Sequence, residues 1–128
     1  MFIAVKNKVK EFGLENEIHF LGFISRHEQL VLMKYAIAIV QPSLFEGWST
    51  VVEDAKALNQ TVIVSNIDVH KEQIGDKGYF FDPDNISELA NVMQSVLQND
   101  VKLKYDIDYK SNVANFAAQI NDLILGNL

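Results

Sequence analysis

The feature that constrains this chain most is an alternation. Residues 37 to 40 read Ile-Ala-Ile-Val, with no polar break, and a strand of that composition has to be covered on both faces, as strands of parallel sheets are. Parallel neighbours cannot be joined by a hairpin; they need a crossover segment, usually a helix. Such a segment follows directly. Thr50 and Glu53 have the spacing of a capping box ahead of Ala55 and Leu58, which predicts a helix ending near the turn residues Asn59 and Gln60. Thr61 to Ser65 then reads as a second strand. A polar loop, a helical turn around His70 to Ile74, and Gly75 and Gly78 lead to a third, Tyr79-Phe80-Phe81, stopped by Asp82-Pro83. Strands alternating with helices predict an α/β fold built on a parallel sheet.

The flanks fit the same plan. Phe2, Val5, Val9 and Phe12 fall on one helical stripe with Gly13 at the expected C-cap, so residues 2 to 12 read as an amphipathic helix. Ile18 to Leu21 reads as a short strand. Ser25 followed by Glu28 is a second capping box, opening a helix through about Tyr35. Beyond the third strand, Leu89, Val92, Met93, Val96 and Leu97 form one apolar face behind the cap candidate Asn85. Val113, Phe116, Ala117, Ile120, Leu123 and Ile124 form another. There is no internal repeat, linker or low-complexity segment, and 128 residues with 48% hydrophobic content suit a single domain with a real core.

Charge and composition remove whole classes of function. A net charge of -6, with 11 basic residues scattered rather than clustered, argues against nucleic acid as a partner. The absence of cysteine excludes disulfides and thiolate metal sites, and His19, His27 and His70 lie far apart in sequence, so no metal site is expected. His19 alternates with Ile18 and Phe20, His27 lies in the first turn of a capped helix, and His70 reads as a surface residue at a helix entry. The opening MFIAVKNKVKEFG carries lysines within its apolar run and is no signal peptide, and no stretch approaches the roughly 18 apolar residues that span a bilayer. A cytoplasmic location is expected, with peripheral attachment at the inner membrane surface as the alternative.

Two readings fit the stretch PSLFEGWSTVVEDAKAL, residues 42 to 58. In the first, Pro42 and Gly47 shape a turn, Thr50 caps the helix, Glu53 closes the capping box and Asp54 favours the positive end of the helix dipole. In the second the same residues bind a ligand. Open parallel sheets hold ligands beyond the C-terminal ends of their strands, where helix N-termini point N–H groups outward. Gly47 would admit a ligand close to the backbone, the N–H groups of Trp48, Ser49 and Thr50 could meet anionic oxygens, and Glu46 and Asp54 could accept hydrogen bonds from hydroxyls. A polyhydroxylated, phosphorylated ligand suits that set. A phosphorylated receiver domain does not fit, because the strand ends Gln41-Pro42 and Ser65-Asn66 offer no acidic phosphoacceptor.

The run LGFISRHEQLVLMKYAIAIVQPSLFEGWSTVVEDAKAL, followed by TVIVSNIDVHKEQIGDKGYFFDPDNISELANVM, resembles the nucleotide-sugar-binding, C-terminal domain of retaining glycosyltransferases of the GT-B fold, family four. The likeness runs from about residue 8 to residue 124, in the family's order. It implies a partial doubly wound, Rossmann-like sheet and transfer of a sugar from a nucleotide-diphosphate donor to an unknown acceptor, whether glycan, lipid or small molecule, without metal or other cofactor. The family's E-x7-E pair falls on Glu46 and Asp54. The resemblance implies that Glu46 touches the donor sugar hydroxyls as the catalytic-site carboxylate, that Gly47, Trp48, Ser49 and Thr50 lie along sugar and phosphate, and that Asp54 holds the ribose with a shorter side chain than the family's Glu. The turn Gly22-Phe23-Ile24 matches the loop that frames the donor base. IDVHKEQIG matches a segment in which a His often occurs.

In the family this domain begins with two further strands, which carry a Gly-Arg turn and a nearby Lys against the donor diphosphate; the sequence shows neither. The expectation is a single partial domain, with three alternatives: a separate chain supplies the upstream half, the sheet rearranges, or the chain is a remnant of a longer gene. Alone it should be inactive and bind a donor weakly. The alternative is a non-catalytic α/β interaction module, or an inactive fragment, docking through the open sheet edge that the missing strands would leave.

Overall fold

A computed structural model of the chain describes residues 2–99, 105 and 109–125. The elements run α1 (Phe2–Glu11), α2 (Arg26–Tyr35), β1 (Ile39–Gln41), α3 (Thr50–Ala57), β2 (Val62–Ser65), α4 (Asp68–Ile74), β3 (Tyr79–Phe81), α5 (Ile86–Asn99) and α6 (Tyr109–Leu125). The three strands form one parallel sheet in the order β1-β2-β3, with Ile39 opposite Val62 and Ile63 opposite Tyr79. The alternation of strand and capped helix therefore builds the sheet that it predicts.

β2 is buried along its whole length, and its side chains divide between two cores because successive residues of a strand face opposite sides. Val62 and Val64 join Met33 of α2, Val52 and Ala55 of α3, Ile74 of α4 and Tyr105. Ile63 joins Phe81 and Val96 of α5, with Ala38, Val40, Leu89 and Val92 packed around them. Helices thus cover both faces of the central strand, the layering that an unbroken apolar strand requires.

Several boundaries shift for local reasons. The capping box at Ser25 forms in both directions: the Ser25 hydroxyl accepts from the Glu28 N–H at 3.3 Å, and the Glu28 carboxylate accepts from the Ser25 N–H at 2.8 Å. In α3, however, the N-cap is Ser49, whose hydroxyl accepts from the Val52 N–H at 3.4 Å, and Thr50 is the first helical residue. Ser49 and Thr50 are both good caps, and the choice goes to the residue that packs inside; Ser49 is buried and Thr50 exposed. With the cap moved, Glu53 closes no box. It pairs with Lys56 at 3.0 Å and accepts from Gln73 Nε2 at 3.0 Å. The α3 helix stops at Asn59, which adopts a φ of 53° and whose Oδ1 accepts from the Tyr105 N–H. Asn85 caps α5 as expected, its Oδ1 accepting from the Glu88 N–H at 3.1 Å.

The segment Ile18 to Leu21 forms no strand. It is irregular, and Ile18, Phe20 and Leu21 are 40%, 38% and 57% exposed. Among the described residues it is paired with no strand, the sheet being β1-β2-β3 alone, and apolar residues without a pleated surface to join have no reason to extend as a strand. The last apolar face is helical as expected, in α6, but Val113, Phe116, Ile120 and Ile124 lie exposed rather than packed; the Leu123 side chain is outside the described residues.

Candidate functional site

The turns that leave the C-terminal ends of β1 and β2 converge on Glu46. β1 ends at Gln41 and β2 at Ser65, so parallel pairing brings the two exits to the same end of the sheet. Residues 42 to 48 form the first exit. In it Glu46 Oε1 accepts from the Ser43 hydroxyl at 2.5 Å and from Gln41 Nε2, and that same nitrogen lies 3.0 Å from Ser43 Oγ. The Ser65 hydroxyl donates to the Ser43 carbonyl at 2.5 Å, which ties the second exit to the first.

His70, at the start of α4, is completely buried, which corrects its reading as a surface residue. Its Nδ1 lies 2.9 Å from the Ser65 carbonyl and 3.3 Å from the Ser65 hydroxyl. A carbonyl can only accept, so Nδ1 carries the proton and Nε2 is an acceptor in the neutral ring. Nε2 is buried without a partner among the described residues.

Burial is the largest single influence on Glu46 and pushes its pKa up. Hydrogen bonds from Ser43, Gln41 and Ser49, with the nearby His70, outweigh it and hold the carboxyl below the usual carboxylate value. Glu46 is therefore an ionised, oriented acceptor at neutral pH. Gly47 beside it has open space where a Cβ would stand. Leu44, Phe45 and Trp48 of the same turn are 73%, 87% and 53% exposed, an apolar rim next to a charged centre.

The other expected site residues are placed differently. Ser49 is buried, and its backbone is held at both ends by Gln73: the N–H donates to Oε1 at 3.2 Å and the carbonyl accepts from Nε2 at 2.9 Å. Of the three N–H groups expected to face an anion, that of Ser49 is already engaged. Thr50 and Trp48 remain exposed at the entrance of α3. Asp54 accepts from both terminal nitrogens of Arg26, at 2.6 and 2.5 Å, which joins α3 to the start of α2. The hydrogen bonds and charge of Asp54 raise the Arg26 pKa further. Glu46 and Asp54 thus hold separate partners. Gly22 has a φ of +65°, a left-handed conformation that suits glycine, and Phe23 behind it is fully exposed, so Phe23 is no core residue. No group of three or more His, Asp or Glu able to hold a metal occurs among the described residues.

Sequence reasoning missed Gln41, Ser43, Ser65, Gln73 and Arg26 as members of this region. The first three could have been found, because polar residues that close an apolar strand or begin its exit turn stand where ligands of parallel sheets bind. Gln73 and Arg26 reach their partners across 24 and 28 residues, and no local pattern announces that.

A parallel sheet covered by helices, with an oriented carboxylate at its C-terminal end, makes this an α/β domain whose ligand-binding end is the one that carries Glu46. The chain belongs to the glycosyl transferases group 1 family, whose pattern it matches over residues 4–124. It is 28% identical to the O-antigen chain mannosyltransferase RfbU of Salmonella typhimurium (strain LT2), an alignment covering 91% of this chain and 36% of that protein. It is 31% identical to the O-antigen chain mannosyltransferase B of Escherichia coli, covering 67% of this chain and 23% of that one. Among solved structures it is similar to the sucrose-phosphate synthase of Thermosynechococcus elongatus, with a TM-score of 0.76 at 21% identity over 97% of this chain and 34% of that one. That likeness establishes the fold, part of a GT-B glycosyltransferase domain. The chain spans about a third or less of the length of these relatives. No described helix is long and apolar enough to cross a membrane.

Proposed function

We propose that this chain carries the donor-binding side of a retaining glycosyltransferase that takes its sugar from a nucleotide-diphosphate donor without a metal ion. The observation that carries the reading is Glu46: an ionised carboxylate held by Gln41 and Ser43 at the C-terminal end of a parallel sheet. A carboxylate whose lone pairs are partly engaged is fixed in direction, and its remaining capacity suits vicinal sugar hydroxyls, which bring donors but no charge. Gly47 leaves room beside it, and Trp48 and Thr50 stand at the mouth of α3, where a phosphate would meet the helix N-terminus. Gly22, Phe23 and Ile24 form the proposed edge around the base. Asp54 would reach the ribose only in competition with Arg26. The mannosyltransferase relatives support a hexose as the sugar.

The chain should bind its donor weakly by itself. A diphosphate carries about two negative charges, and a net charge of -6 repels it at long range unless local cations compensate. The acceptor and the groups that neutralise the diphosphate are proposed to come from the remainder of a protein as long as the relatives, or from a separate chain. Positioning of the acceptor, on which bimolecular transfer depends, would come from there too.

The test is amide NMR of the 128-residue chain titrated with UDP-, GDP- and ADP-sugars. Millimolar binding with shifts centred on residues 46 to 50, lost in Glu46→Gln, is expected for one nucleotide. Shifts elsewhere, or none, would remove the reading, and low-micromolar affinity would overturn the claim of weakness. A second reading, a non-catalytic interaction module, is favoured by the exposed apolar face of α6; it predicts no shift with any donor.

A further inference from the structure

We infer that His70 is a positioning residue that sets the Glu46 turn from α4, through Ser65 and Ser43. Three hydrogen bonds in series connect them. The His70 Nδ1–H donates to the Ser65 carbonyl at 2.9 Å, the Ser65 hydroxyl donates to the Ser43 carbonyl at 2.5 Å, and the Ser43 hydroxyl donates to Glu46 Oε1 at 2.5 Å. His70 and Ser65 are both 0% exposed, so the inner part of the series is closed to water and has few alternative partners. The Ser65 hydroxyl has one proton to give. It gives it to Ser43, and only while the Ser65 backbone and side chain keep their orientation. His70 fixes that orientation from α4, with the Ile67 N–H as a second donor to the same carbonyl at 2.9 Å. The histidine is thus connected to the turn by geometry rather than by contact with a ligand.

The choice of side chain supports this. At a buried position beside the Ser65 carbonyl, the Nδ1–H supplies a donor that an apolar residue could not. That the relay serves sugar binding rests on the function proposed above; that it holds Glu46 does not.

The experiment follows the Glu46 side-chain carboxyl carbon by NMR as pH is lowered, in the full chain without ligand. The wild type should titrate below the usual carboxylate value. Ser65→Ala, which cuts the relay but leaves His70 in place, should move that titration upward by about half a pH unit or more. His70→Phe should do the same, whereas His70→Asn, whose amide nitrogen stands where Nδ1 does, should stay near wild type. His70→Gln keeps a polar atom only towards Nε2 and should behave as His70→Phe. An unchanged titration in folded Ser65→Ala overturns the relay. So does a His70→Asn protein that shifts as far as His70→Phe while Ser65→Ala does not, because the histidine would then act by its charge alone. If His70→Phe does not fold, Ser65→Ala decides for the relay and the contrast of His70→Asn with His70→Gln decides for the histidine, equal titrations in those two overturning its role. Since no donor is present, a failure here and a failure to bind nucleotide sugar are read separately; when both ideas hold, Ser65→Ala also weakens the donor-induced shifts several-fold.

Discussion

Residues 62 to 65 and residues 18 to 21 are of similar length and both rich in apolar side chains, yet one is the central strand of the sheet and the other is irregular chain. Val62 to Ser65 is paired on both edges and covered on both faces. Ile18 to Leu21 pairs with no described strand, and although the Lys6 ammonium of α1 lies 5.5 Å from the Phe20 ring centroid, the segment's apolar residues stay substantially in solvent. The contrast teaches that strand preference is a property of surroundings more than of residues: β-branched and aromatic side chains fit a pleated, half-buried surface, and where no such surface is offered the preference has nothing to act on.

The comparison is sharpest when the same kind of deletion is made in each place. Ile63→Ala should lower unfolding free energy by about 2–5 kcal/mol, measured by urea denaturation, because Ile63 is 2% exposed and plugs the core shared with Phe81 and Val96. Ser49→Ala should cost about 1 kcal/mol through loss of the α3 cap, whereas Thr50→Ala should cost less; the reverse order would restore Thr50 as the cap. Tyr105→Phe should be neutral or stabilise by up to about 1 kcal/mol, since the Tyr105 hydroxyl is buried without a partner among the described residues. Its pH signature has a definite sign. Burial pushes the Tyr105 pKa up to about 12, so the folded chain keeps a proton that the unfolded chain releases, and stability falls as pH rises from about 10 towards about 12. Tyr105→Phe should flatten that fall.

Glu46 has the opposite sign. Its lowered pKa contributes stability above the unfolded carboxylate value that is lost as pH falls through the folded one, so Glu46→Gln should reduce the acid sensitivity below about pH 4.5. The smallest effect is expected at the irregular segment: Leu21→Ala should change stability by less than about 0.5 kcal/mol. A loss comparable to that of Ile63→Ala would mean that the segment is packed after all, and the comparison would fail.

The fold was legible where a signal is local and redundant. Apolar runs with turn residues at both ends located all three strands, and the Ser25-Glu28 and Asn85 caps fixed two helix starts, because caps act within one turn of the backbone. Two adjacent candidate caps, Ser49 and Thr50, could not be separated by pattern, since burial decided between them. The site was legible in part. Glu46 stood out by its place after an apolar strand, but Ser65 and His70, which stand behind its partner Ser43, are residues that local alternation assigns to strand and surface. The bidentate grip of Arg26 on Asp54 joins two helix entrances far apart in sequence, and a single sequence carries no trace of such a pairing.

The register of the sheet also has a consequence for how the chain folds. Ile39 meets Val62, and Ile63 meets Tyr79, only after α3 and α4 have folded back across the sheet, so neither strand pair can zip from a tight turn as a hairpin does. Each pairing must wait for closure of a loop that contains a whole helix, an entropic delay that grows with the length enclosed. α5, whose contacts along its own length are local, has no such wait. Refolding should therefore show early helical signal followed by a slower cooperative step in which β2 is captured between its two neighbours, the ordering expected when contacts distant in sequence set the rate.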